Sequence, residues 1–94
     1  MDQELNRRIT EALRRACEPD PKPEIRLEES GTNHVGGEVV STRFAGLTPS
    51  ARQDLIWQQL DDALDARERT LISFILAETR EEYDALTESR AQGA

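Results

Sequence analysis

Apolar residues Leu5, Ile9, Ala12, Leu13 and Ala16 recur three and four positions apart from the start of the chain. That spacing lines one face of an amphipathic helix over residues 2 to about 17. Pro19, Pro21 and Pro23 end the pattern. Each removes a backbone donor and biases the residue before it out of the helical region, so 18–23 is expected to be an extended connector. Ile25 and Leu27 then alternate with charged residues, a period of two that predicts a strand over about 24–29. Ser30-Gly31-Thr32-Asn33 supplies a turn, and a second strand over about 35–43 pairs back as an antiparallel hairpin. Gly36-Gly37 inside that strand predicts a bulge or the close approach of another backbone.

Thr48-Pro49 starts a helix, with Thr as N-cap and Pro at the first helical position. One helix, or a broken pair, runs on to about residue 66. Ile56, Trp57, Leu60, Ala63 and Leu64 project to one face, while Asp54, Asp61, Asp62 and Asp65 project to the opposite, solvent side. From Thr70 to Ala77 the apolar residues are nearly continuous. Ile72, Phe74 and Leu76 fall on one face and Leu71 and Ile75 on the other, as in a strand covered on much of both faces or paired centrally. Thr79-Arg80-Glu81-Glu82 is a capping box opening a last helix that carries Tyr83 and Leu86, and the tail 88–94 is expected to fray. The order αββα(α)βα predicts an α+β fold. A helix between the second and third strands favours a parallel crossover, hence a mixed three-stranded sheet with helices on one face.

A chain of 94 residues has room for one core, so residues 1–94 are read as a single domain. No apolar run approaches a membrane span and no secretory signal leads the chain, which gives a cytoplasmic expectation and no membrane partner. Cys17 is the only cysteine; it cannot form an internal disulfide and is read as a small apolar residue at a helix end. The net charge of −7 repels polyanions and argues against nucleic acid as a partner.

Residues 34–60 carry a family resemblance. Val40, Ser41, Phe44, Gly46 and Arg52 fall at the spacing of the signature of BolA-like proteins, in which a strand ending Val-Val-Ser-x-x-Phe-x-Gly precedes a helix bearing an Arg-His pair. Gln53 stands where that pattern has His. The resemblance implies a fold related to the KH class that begins with a helix. It also implies a non-enzymatic binding or adaptor role with a monothiol glutaredoxin, or another component of iron–sulfur handling and redox regulation, as partner. In such heterodimers a bridging [2Fe-2S] cluster takes ligands from the loop between the first two strands and from a His near the third strand. His34 is the candidate metal ligand and partner contact on this comparison, and no intrinsic cofactor is implied. The matching third-strand position falls around Thr70 to Ile72, where no His, Cys or carboxylate stands; Thr, Leu and Ile cannot serve iron as thiolate or imidazole would. The chain is thus read as a divergent member that keeps the protein contact without holding the cluster itself.

Other candidates have simpler readings. Gln53 projects toward Ile56 and Leu60, so its amide needs hydrogen-bond partners at the helix entrance. Arg52 either fixes the Phe44–Gly46 turn or offers a partner a charged contact. Ser41, Phe44, Gly46 and Trp57 are structural, Phe44 ending the strand into the core and Gly46 turning the chain toward the Thr48 cap. Arg7, Arg8, Arg14 and Arg15 form the one concentrated basic patch, but Glu4–Arg8 and Glu11–Arg15 are stabilising i,i+4 pairs that account for it. There is no phosphate-binding glycine loop, no nucleophile held near His34 by a motif, and no Gly-x-x-Gly clamp of the kind KH domains use. A nucleic-acid-binding transcriptional or stress regulator is the alternative reading. The chain is expected to be a monomer or weak homodimer, with exposed Leu55 and the two-sided third strand as candidate contacts if it oligomerises.

Overall fold

The N-terminal stripe forms helix α1, Gln3–Ala16, and all five of its apolar positions are buried. The computed structural model describes residues 3–29, 31 and 33–93, with side chains as far as Glu88. Strands β1 (Glu24–Glu29) and β2 (Val35–Val40) follow, then a short 3-10 turn (Thr42–Phe44), helices α2 (Pro49–Ala63) and α3 (Ala66–Thr70), strand β3 (Ile72–Glu78) and helix α4 (Arg80–Gly93). The sheet order is β1-β2-β3. β1 is antiparallel to β2, and β2 is parallel to β3, as a helical crossover requires. This is the expected α+β arrangement with a mixed three-stranded sheet. The core lies between the sheet, α1 and α2, where Ile9, Leu13, Val39, Phe44, Ile56 and Leu60 are fully buried. No described helix is long and apolar enough to cross a membrane.

Of the two options for 48–66, the chain takes the broken pair. The Thr48 hydroxyl accepts from the Ala51 amide at 3.1 Å, with Pro49 in the first turn. Leu64 and Asp65 then leave helical geometry. Asp65 accepts from the Glu68 amide at 2.8 Å, while the Glu68 carboxylate accepts from the Asp65 amide at 3.1 Å. This reciprocal capping box restarts the chain as α3. Asp65 is therefore a cap, not simply part of an acidic helix face.

The expected connector is not extended throughout. Its first part is a turn closed by Asp20 N–H donating to the Cys17 carbonyl at 2.8 Å, with the Glu18–Pro19 bond cis. The Asp20 carboxylate then accepts from Ser41 Oγ at 2.7 Å and the Thr42 amide at 3.3 Å. That tie ends β2 at Val40 rather than near 43, because the Ser41 hydroxyl also caps the 3-10 turn by accepting from the Arg43 amide. Phe44 consequently enters the core from this turn and not from a strand. Gly46, at φ +77°, makes the left-handed bend that follows. Helix α4 is continuous to Gly93.

β3 also differs from its expected pattern. It is an edge strand, and Phe74 and Leu76 are 40% and 45% exposed. Ile72 and Ile75 are the buried pair. The cause is a register irregularity at Val35/Gly36: Val35 lies opposite Ile72 and Gly36 opposite Phe74, so Ser73 is passed over and the alternation resets. Leu55 is half-buried rather than exposed.

The expectation for Gly36-Gly37 is met by this irregularity and by close side chains. A Cβ on Gly36 would stand 2.5 Å from the Phe74 ring, and one on Gly37 would stand 2.9 Å from Ile75 Cδ1 and 3.1 Å from Leu27 Cδ2. The two sites face opposite sides of the sheet and should respond differently. The half-exposed Phe74 ring can swing aside, so Gly36→Ala is expected to change stability by less than about 1 kcal/mol. Gly37→Ala overpacks the core and is expected to cost about 1–3 kcal/mol. Urea unfolding of the two variants side by side checks the contrast; equal effects would overturn it.

Candidate functional site at the His34 end

His34 precedes β2 directly and is exposed. Asn33 before it takes a left-handed φ of +60°, a conformation Asn tolerates. The Val35 amide donates to the Leu71 carbonyl at 2.8 Å, which draws the α3–β3 junction alongside the start of β2. Between them lies a cavity of about 230 Å³. Leu5, Val35 and Leu71 give it apolar walls, and Glu29, Asn33, His34 and Arg67 give it polar ones. Sequence reasoning found His34 but missed Arg67 and Asn33. The signal for Arg67 was the Asp65-x-x-Glu68 capping box, whose short helix brings residue 67 to this end of the sheet.

These residues do not fit a two-ligand iron–sulfur site. His34 is the one imidazole; the α3–β3 junction brings Arg67 and Leu71 to the same cavity and Ile72 is buried, while the other donor side chains there are the hard oxygens of Glu29 and Asn33. Arginine has no lone pair to give and leucine no donor atom. Among the described residues no group of three or more His, Cys, Asp or Glu is placed to hold a metal ion. Cys17 is fully buried far along the chain from this cavity, and burial pushes its thiol up, away from thiolate.

Arg52 and Gln53 stand elsewhere, where α2 meets β3. Arg52 Nε donates to the Leu47 carbonyl at 3.1 Å, and Nη1 donates to the Ala77 carbonyl at 3.1 Å. Nη1 and Nη2 also grip the two Glu82 oxygens at 2.6 and 3.1 Å. Only 11% of the Arg52 side chain is exposed. It thus joins the turn before α2, the end of β3 and the first turn of α4. Glu82 closes the expected capping box as well, accepting from the Thr79 amide at 2.8 Å. The Arg52 hydrogen bond, helped by that amide, holds the Glu82 carboxyl down at about 2. Gln53 Nε2 donates to the Ile75 carbonyl at 2.8 Å, the partner its half-buried amide required.

The basic patch is largely ion-paired. Arg8 makes a two-armed contact with Glu68 of α3, and its hydrogen bonds hold the Glu68 carboxyl below the usual range. Arg7 reaches Glu4 and Glu11, and Arg15 lies 3.8 Å from Glu11. Arg14 is exposed in the last turn of α1. Trp57 is half-buried against the core, in a packing role.

A helix-first, mixed three-stranded sheet with the start of β2 beside the α3–β3 junction is the arrangement of a BolA-like fold. In solved structures it is similar to the BolA domain of SufE1 from Arabidopsis thaliana, at 25% identity over 87% of this chain and 98% of that one, with a TM-score of 0.57. A second likeness, in fold alone, is to a bol-like protein from Babesia bovis, at 18% identity over 93% of this chain and 94% of that one, with a TM-score of 0.51. No protein-family model and no curated protein matches the sequence.

Proposed function

We propose that this chain is a non-enzymatic adaptor that docks its His34 end on a monothiol glutaredoxin and leaves any [2Fe-2S] cluster to be held by the partner. The BolA-like fold supports the class of partner. The observation that carries the reading is the composition of the cavity: a single imidazole shares it with Arg67 and Leu71, neither of which can serve iron as a second ligand. An exposed imidazole and a guanidinium lining one cavity suit a polar contact with a protein surface better than they suit a shared metal.

The test is titration of the protein into a [2Fe-2S]-loaded monothiol glutaredoxin, following visible circular dichroism and the mass of the complex, with His34→Ala alongside. Heterodimer with an unchanged cluster spectrum is the expected result, and the variant should weaken the complex without altering that spectrum. A new spectrum abolished by His34→Ala would make His34 a ligand and overturn the adaptor reading. If no complex forms and the protein instead binds DNA or RNA with a steep salt dependence, the regulator reading takes its place.

A further inference from the structure

The outer edge of β3 is not open, although β3 ends the sheet. Ser41 N–H donates to the Glu78 carbonyl, so Glu78 points its backbone groups toward β2. Alternation along the strand then turns those of Leu76 and Phe74 toward β2 and those of Ala77 and Ile75 outward. These two outward carbonyls are taken by side chains of α2: Arg52 donates to Ala77 at 3.1 Å and Gln53 to Ile75 at 2.8 Å, and Ser73 before them adjoins the register irregularity. Adjacent residues of one helix thus fill consecutive acceptors that an added strand would need.

We infer that Arg52 and Gln53 form a clasp that shuts the β3 edge against a second copy of this chain. The occupant excluded is β3 of another molecule, for reasons the strand itself supplies. Leu71-Ile72-Ser73-Phe74-Ile75-Leu76-Ala77 is an uncharged, apolar run without Pro or Gly, the composition that pairs with itself when its edge is available. Phe74 and Leu76 are two of the three large apolar side chains exposed among the described residues. An antiparallel β3–β3 pairing about a two-fold axis would join the two sheets and bring both copies' Phe74 and Leu76 onto one continuous face.

The test is sedimentation velocity of Arg52→Ala/Gln53→Ala across a hundredfold concentration range, with circular dichroism to verify folding. Self-association at least tenfold tighter than that of the unaltered protein is expected, reversed by adding Phe74→Lys beside the edge. Gln53→Leu keeps Arg52 and most of the side-chain volume while removing one donor, and it should show the same trend more weakly if the double variant fails to fold. A folded variant that sediments like the unaltered chain at every concentration would overturn the clasp, as would association that Phe74→Lys leaves unchanged.

Discussion

Phe44→Ala is expected to remove about 3–5 kcal/mol of folding stability, the usual range for truncating a fully buried aromatic. Domains of this kind have about 5–15 kcal/mol in total, so the variant should be largely unfolded in modest urea. Phe44 is 0% exposed and belongs to the cluster that includes Ile9, Leu13, Val39, Ile56 and Leu60. Its backbone is held independently, because Ser41 and Asp20 fasten the 3-10 turn. The turn therefore cannot follow the lost ring inward, and a cavity remains. Phe44→Leu should cost about 1–2 kcal/mol because much of the volume is kept. The check is the shift in urea midpoint at constant slope; an Ala variant within about 1 kcal/mol of the unaltered protein would mean that the turn collapses onto the core after all.

That turn also illustrates what the sequence could and could not disclose. Local rules were sufficient for α1, for the Thr48-Pro49 start of α2 and for the Thr79–Glu82 box, because periodicity and caps act within a few residues. They were insufficient where a distant residue sets the outcome. Asp20 fixes where β2 stops from 21 positions away in sequence, and nothing around Val40 announces it. The faces of β3 depended on a register irregularity shared between two strands, so a strict period of two put Ile72 with Phe74 instead of with Ile75. The Asp65–Glu68 box is legible in sequence, but the acidic periodicity around it also fits a continuous helix face, which hides the break that carries Arg67 to the His34 end of the sheet. His34 stands out because it is the only histidine; the residues that share its cavity are set by the tertiary Val35–Leu71 hydrogen bond between β2 and the α3–β3 junction.

Arg52→Ala should have the next largest effect, about 2–4 kcal/mol, because it leaves the Leu47 and Ala77 carbonyls without the donor that serves them. Arg52→Lys keeps the charge but loses the fork, so it should recover only part of the loss. The ion pair with Glu82 adds a smaller, pH-dependent share. The Glu82 carboxyl is depressed in the folded protein, from its ordinary 4.5 to about 2. A depressed carboxyl stabilises the fold fully above its unfolded value, and the contribution fades as pH falls through the folded one. The window therefore runs from about pH 5 down to pH 2. With 46% of the Glu82 side chain exposed, solvent screening holds this share to under about 1 kcal/mol. Glu82→Gln should accordingly flatten the acid limb of the stability profile while leaving most of the neutral-pH stability. Arg52→Ala should lower the whole curve, because unserved carbonyls do not titrate. Urea unfolding at pH 7, 5 and 3 separates the two contributions. If the cost of Arg52→Ala instead faded as pH fell from 5 toward 2, the ion pair would be the dominant bond, and the helix–strand carbonyl contacts would be incidental to the fold.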